Sequence, residues 1–301
     1  MSKPDFVRRS QLITPARSEK MIAKALAVNC DSLIIDLEDG IAPNFKIEAR
    51  EVLRHALANV TPDPRRELCV RINGLESPWC LEDLFALQGL PINSVVVPKV
   101  HTPEDMYVFD QLLRQLELRG GGMGLTLQPL IESACGLENA YAIARTSARC
   151  RTLIFGVGDF MADTGMSFSP SLLLSVRARI VTAAAAAGLQ AIDHVHPGVA
   201  DIDGLLLAAR ESKALGFTGK WAIHPNQVEV IHTAFSPSEA EIDKARRTLA
   251  AYSEALQAGV GAMTLDGELV DEAVLKMARR HLASADRIIC NTPHLNQKET
   301  S

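Results

Sequence analysis

Short runs of β-branched and aliphatic residues alternate along the chain with longer stretches whose apolar positions recur every three to four residues. The short runs predict strands at residues 10–14, 32–38, 68–73, 94–100, 125–132, 152–159, 190–195 and 220–225. Their starts fall about 30 residues apart, the length of a βαβ unit. Interiors such as Leu33-Ile34-Ile35, Val95-Val96-Val97 and Leu153-Ile154-Phe155 are continuously apolar, as strands buried on both faces of a parallel sheet are. Between them the spacing predicts amphipathic helices. One spans residues 18–28 behind a capping Ser18; another opens at Thr102-Pro103-Glu104-Asp105; a third, at 171–187, stops at Gly188. Eight β/α repeats predict an α/β fold, a TIM (β/α)8 barrel. A doubly wound open sheet is the alternative, but it needs a topological switch and usually fewer strands.

Beyond the eighth strand the pattern changes. A long helix is expected at 238–259, a short strand or loop at 264–269 and a last helix at 271–283. This divides the chain into a catalytic barrel at 1–235, a C-terminal helical extension at 236–285 and a flexible tail at 286–301. The extension exceeds what a barrel needs, so it caps a face or reaches a neighbouring subunit.

Composition narrows the function. With 31 Lys+Arg against 36 Asp+Glu the formal charge is −5, which lacks the basic excess of a nucleic-acid binder. No apolar stretch approaches the roughly 20 residues of a membrane span, and the N-terminus lacks a secretory apolar region. The six cysteines form no C-x-x-C pair and stand near no zinc-spaced histidines, consistent with buried thiols in a reducing cytoplasm.

In a barrel the chemistry gathers at the C-terminal ends of the strands. Here those ends carry Asp36-Leu37-Glu38-Asp39, Arg71-Ile72-Asn73, Pro98-Lys99, Glu132-Ser133, Gly158-Asp159, Asp193 and His224-Pro225. Asp39, Ser133 and Asp193 read as caps of the following helices. Glu132 and Asp159, on consecutive strands, need a cation or a shared proton between them. Two hard carboxylates suit Mg²⁺, which leaves its other positions to water and substrate. Arg71 suits a substrate carboxylate or a developing oxyanion. The set points to metal-assisted chemistry on a small oxo- or hydroxy-acid.

Other motifs are weaker. Gly120-Gly121-Gly122 precedes a strand and reads as a turn. Phe155-Gly156-Val157-Gly158 lacks the third glycine of a dinucleotide fingerprint, since Met161 occupies that position. His196, His232, His281 and His294 read as surface or loop residues, and Lys99 keeps a Schiff-base role open.

The ordered motifs Thr14-Pro15-Ala16-Arg17 with Lys20, Leu33 through Gly40, Val70-Arg71-Ile72-Asn73, Val97-Pro98-Lys99, Pro129 through Ser133, Phe155 through Phe160 and Ile223-His224-Pro225-Asn226-Gln227 carry a resemblance. The chain resembles the citrate lyase beta-subunit-like family of acyl-CoA lyases, relatives of malyl-CoA and citramalyl-CoA lyases. The resemblance implies a cytoplasmic homotrimer or multiple of trimers, with Mg²⁺ on Glu132 and Asp159 and Arg71 at the substrate. It also implies coenzyme A along Thr14, Pro15, Ala16, Arg17 and Lys20. Asp266 through Asp271 is similar to the family's C-terminal motif, whose aspartate, here Asp271, completes a neighbouring subunit's site. Departures occur at Ser18, after Arg17, and at Asp193-His194-Val195-His196-Pro197.

The implied reaction is reversible Claisen cleavage of a 3-hydroxyacyl-CoA into acetyl-CoA and a 2-oxo acid, with Asp271 transferring the proton. The alternatives are an aldolase on free hydroxy-oxo acids, a malyl-CoA thioesterase and a catalytically silent assembly subunit. Neither nucleic acid nor membrane is expected as a partner.

Overall fold

The computed structural model describes residues 6–120 and 124–291. All eight expected strands form: β1 (Ser10–Pro15), β2 (Ser32–Asp36), β3 (Glu67–Arg71), β4 (Ser94–Val97), β5 (Thr126–Ile131), β6 (Thr152–Phe155), β7 (Gln190–Asp193) and β8 (Gly219–Ala222). They pair in parallel and in sequence order. Pairing of Ser10 with Lys220 and of Leu12 with Ala222 joins β8 to β1 and closes the barrel.

Alternation along each strand sorts the apolar residues into two sets. Ile34, Cys69, Val96, Leu130, Ile154, Ile192 and Trp221, one from each of β2 to β8, meet inside the cylinder. Their neighbours, including Leu33, Ile35, Val70, Val95, Leu153 and Phe155, form the larger core under the helices. A polar chain crosses the interior: Trp221 Nε1 donates to Gln11 Oε1 (2.7 Å), and Gln11 Nε2 donates to Gln128 Oε1 (2.7 Å). At the N-terminal end, Arg8 forks onto Glu67 (2.6 and 2.7 Å), which also accepts from Ser32 and Ser94. This bottom face is a saturated plug.

Most strands stop two to four residues short of the apolar runs that announced them. Pairing ends at Asp36, Arg71, Val97, Phe155, Asp193 and Ala222. Pro98 and Gly156 stand just past two of these ends, where neither favours a continuing strand. Several residues expected on strand ends therefore lie in the loops, Glu132 directly after Ile131.

The barrel helices are α1 (Glu19–Leu26), α2 (Lys46–Leu57), α3 (Cys80–Ala86), α4 (Pro103–Gly120), α5 (Ala134–Glu138), α6 (Ala140–Thr146), α7 (Val157–Thr164), α8 (Pro170–Ala187), α9 (Ile202–Leu215) and α10 (Val228–Phe235). Ser18 caps α1 through the Met21 N–H, and Thr102 and Asp105 cap α4 reciprocally. Gly188 ends α8 at φ 71°, a left-handed conformation open to glycine at no steric cost. Contrary to the reading of the sequence, α8 has the length and apolar composition of a membrane span. Its buried face packs on β6 and β7, and Arg177 from that face bonds Asp193. Gly120 closes α4, while Gly121 and Gly122 of the expected turn lie outside the described residues.

From residue 236 onward the described residues separate as a second compact unit. It contains α11 (Glu239–Gln257), β9 (Met263–Leu265), β10 (Glu268–Val270) and α12 (Glu272–Asn291). Ser238 and Glu241 form a reciprocal capping box on α11. The short strand or loop expected at 264–269 is a hairpin, turned by consecutive left-handed residues Asp266 (φ 52°) and Gly267 (φ 81°). Tyr252, Val270 and Leu275 form its core. The last helix passes both its expected end at Ala283 and the expected tail boundary at Ala285, so residues 286–291 are helical. Positions 292–301, His294 among them, lie outside the described residues.

Candidate active site

β2 and β3 pair with Asp36 opposite Arg71, and their side chains join at the C-terminal mouth. Arg71 Nε and Nη2 each donate to Asp36 at 2.7 Å, while Nη1 pairs with Glu38 Oε2 at 2.9 Å. The guanidinium lies 5.7 Å from the centre of the Trp221 ring. Asp36 is aimed by the backbone after it: the Glu38 and Gly40 N–H groups both donate to its carboxylate at 2.9 Å. A Cβ at Gly40 would come within 2.6 Å of Asp36 Oδ2. The side edge of Arg71 is thus committed to Asp36. Of the five N–H bonds of a guanidinium, one on each terminal nitrogen remains for a ligand.

Glu132 stands one residue beyond β5, 4% exposed. Its Oε1 accepts the backbone N–H of Lys99 at 2.6 Å, and no salt bridge reaches it among the described residues. Burial pushes the Glu132 carboxyl up to about 8; the Lys99 N–H opposes this, while Asp159 and Glu38 add to it. Gly156 faces the same carboxylate so closely that a Cβ there would collide with Glu132 Oε2. Asp159, expected on a strand end, instead lies half-buried in the first turn of α7. Its field acts on both Glu132 and Lys99. Lys99 completes the constellation by donating from Nζ to Glu38 Oε1 at 2.8 Å.

Glu132 and Asp159 fit a divalent cation. One is a buried carboxylate that no salt bridge reaches among the described residues, the field of Arg71 being outweighed by burial; the other is a second carboxylate close enough to oppose its ionisation. No cluster of three or more acid, His or Cys side chains is found among the described residues. A two-carboxylate donor set is what Mg²⁺ commonly uses, with water or substrate oxygens supplying the rest.

The expected coenzyme loop is mixed in character. Thr14 and Pro15 end β1, with Thr14 and Ala16 buried and the Ala16 N–H donating to Asp36 O at 3.0 Å. Arg17 and Lys20 are exposed. Ala16 and Arg17 line a cleft of about 420 Å³ with Asp39, Gly40, Ile41, Phe45 and Glu48. Asp271 belongs to the second unit, where its side chain and carbonyl cap the start of α12.

Other expectations divide. Ser133 does cap α5 through Gly136. Asp193 caps nothing; it is fully buried between Lys220 (3.0 Å), Arg177 (2.9 Å) and Ser212 (2.6 Å). His232, expected at the surface, is buried and bonded to Ser10 Oγ at 2.8 Å. Asp36, Glu38 and Gly156 were given no role from the sequence, and Lys99 was held open only for a Schiff base. Their signal was present, since Asp36, Glu38 and Lys99 all stand at strand ends.

The chain is similar to known proteins. The family model described as HpcH/HpaI aldolase/citrate lyase matches residues 9–225. Human mitochondrial citramalyl-CoA lyase is 38% identical over 93% of this chain and 86% of its own. The citrate lyase beta subunit of Escherichia coli K12 is 35% identical over 93% of each chain. A crystal structure of CitE from Mycobacterium tuberculosis with magnesium, acetoacetate and coenzyme A superposes with a TM-score of 0.77 at 32% identity. That match covers 93% of this chain and 98% of the other. The matched segment spans every barrel strand and takes in Asp36, Arg71, Lys99, Glu132 and Asp159, so the chain belongs to the HpcH/HpaI aldolase/citrate lyase family.

Proposed function

We infer that the protein is a Mg²⁺-dependent carbon–carbon lyase that reversibly cleaves a 3-hydroxyacyl-CoA into acetyl-CoA and a 2-oxo acid. The observation that carries this reading is Glu132, a buried carboxylate that no salt bridge reaches among the described residues, set beside Asp159 and the Arg71 network. The citramalyl-CoA lyase and citrate lyase relatives support the reaction class, and the CitE complex supports magnesium and coenzyme A.

Glu132 and Asp159 hold the metal, which when bound supplies Lewis-acid polarisation of substrate oxygens. Arg71, locked in orientation by Asp36, presents its remaining N–H bonds to the substrate carboxylate or to the thioester enolate oxygen. Apolar walls and a buried guanidinium strengthen that contact relative to water. The cleft past Ala16 and Arg17 receives the coenzyme, Arg17 offering positive charge to its phosphates. Asp271, supplied by a neighbouring copy in a trimer, returns the proton to the enolate carbon, or removes it from acetyl-CoA in condensation. Cys30, Cys69, Cys80 and Cys150 are buried free thiols, which supports a reducing compartment such as the cytoplasm.

Purified protein with Mg²⁺ is to be offered citramalyl-, malyl- and citryl-CoA, with acetyl-CoA and oxo acid measured as products. Equal release of both, abolished by EDTA, is expected. Release of free hydroxy acid and CoA without oxo acid would instead establish a thioesterase, as a 33%-identical relative from Cereibacter sphaeroides is named. Asp271→Asn keeps a helix-capping side chain, so its loss of turnover with metal binding intact tests the proton transfer. Light scattering tests the trimer.

A further inference from the structure

Among the described residues of the barrel, Lys99 is the one non-glycine residue with a left-handed backbone, at φ 54°. An L-residue pays a steric cost there that glycine does not. This conformation aims the Lys99 N–H at Glu132 Oε1 (2.6 Å) while its side chain delivers Nζ to Glu38 Oε1 (2.8 Å). Glu38 is 3% exposed, and its two oxygens are divided between two cations: Oε1 to Lys99 and Oε2 to Arg71. Asp39 lies at the edge of this group, 3.8 Å from Lys99 Nζ and largely exposed.

Charge balance shows what the lysine contributes. Asp36 and Glu38 against Arg71 and Lys99 sum to zero. Without the ammonium the remaining Asp36, Glu38 and Arg71 carry one net negative charge, and the Glu38 carboxylate keeps Arg71 as its one salt-bridge partner among the described residues, with Lys46 held on its backbone carbonyl. An arriving anionic carboxylate would then meet repulsion and a competitor for Arg71. The strained backbone serves a different partner, because its N–H orients Glu132 whatever side chain the position bears.

We propose that Lys99 is a positioning residue: its ammonium holds Glu38 and so keeps the free N–H bonds of Arg71 available to the carboxylate of a 2-oxo acid. The inference rests on the lyase reading, and it separates two tasks at one residue. The side chain governs oxo-acid affinity, and the backbone governs the orientation of the metal carboxylate.

The test uses the full-length protein, titrated calorimetrically with pyruvate at saturating Mg²⁺, and with Mn²⁺ followed by electron paramagnetic resonance. Lys99→Gly removes the ammonium yet suits the left-handed backbone, so it should fold with an undiminished melting temperature. Its pyruvate Kd should rise about tenfold, the scale of one partly screened charge. Its Mn²⁺ affinity should stay within about twofold of wild type or tighten. Lys99→Arg should recover most of the pyruvate affinity.

The decisive variant is the double Lys99→Gly, Glu38→Gln, in which the excess negative charge is gone. It should bind pyruvate more tightly than Lys99→Gly alone, a rescue that a merely structural role or direct contact of Lys99 with the ligand would not give. Wild-type pyruvate affinity in Lys99→Gly, or no recovery in the double variant, overturns the proposal while leaving the lyase reading intact. A wild-type protein that binds neither Mn²⁺ nor pyruvate overturns the lyase reading and this inference with it.

Discussion

Asp193 at the end of β7 and Glu132 just after β5 are buried almost equally, 0% and 4% exposed, yet their electrostatics are opposite. Asp193 is enclosed by Lys220, Arg177 and the Ser212 hydroxyl. Burial alone would raise its pKa, but Lys220, His194 and Arg177 overcome that and hold the carboxyl well below the usual range. Glu132 has one backbone N–H and acidic neighbours, and its carboxyl rises to about 8. Glu67 at the barrel floor repeats the Asp193 pattern, gripped by Arg8 and two serines and lowered despite complete burial. Burial therefore does not mark a site in this protein; burial without compensation does.

The contrast is broken most forcefully by Glu132→Gln. Removing a metal carboxylate forfeits several kcal/mol of transition-state stabilisation, so turnover should fall about a thousandfold or more. The metal-free fold should not suffer, because a neutral amide replaces a carboxyl that is itself mostly protonated near pH 7; its urea midpoint should hold. A midpoint drop like that of a core deletion would show Glu132 to be structural.

Asp193→Asn is the mirror experiment. It strands Lys220 and Arg177 in a fully buried wall, with an expected stability loss of about 3–5 kcal/mol by chemical denaturation. The kcat of the protein that remains folded should change little. A large fall in kcat at unchanged stability would place Asp193 in the chemistry.

The same contrast explains which parts were legible in the sequence. Strands announced themselves because Leu33-Ile34-Ile35 and Val95-Val96-Val97 must satisfy apolar surroundings on both faces, and period and spacing then give the barrel. Strand ends were overrun because apolar residues such as Leu37, Ile72 and Val100 continue into buried loops, and hydrophobicity alone does not report where pairing stops. Glu132 and Arg71 stood out by position. Asp193 occupies the same kind of position with the opposite meaning, because its partners Arg177 and Lys220 lie 16 and 27 residues away along the chain. Lys99 gave no sign of its backbone angle, which is set by the Glu132 carboxylate it meets across the mouth.

Gly156→Ala sharpens the comparison without touching a charge. Gly156 has φ −95°, so alanine suits the backbone, but its Cβ would collide with Glu132. Displacement of that carboxylate should weaken Mg²⁺ binding about 10- to 100-fold, the scale seen when the support of a metal ligand is altered. The stability change should be about 1–3 kcal/mol at most. Metal affinity equal to wild type would mean that Glu132 does not need its present orientation.

The mildest probe is pH. Glu132 has a folded pKa of about 8 against an ordinary 4.5, so in the metal-free protein its contribution favours the fold below about 4.5 and fades as pH rises through 8. Metal must displace that proton, so Mg²⁺ affinity should climb by up to about tenfold per pH unit below 8 and level off above it. Calorimetry in buffers of differing ionisation enthalpy should register the release of close to one proton near pH 7. Asp193, already ionised, should contribute nothing to this slope. Metal affinity independent of pH between about 6 and 7.5 would mean that Glu132 is ionised before the cation arrives, and that some compensation for its charge exists in the mouth after all.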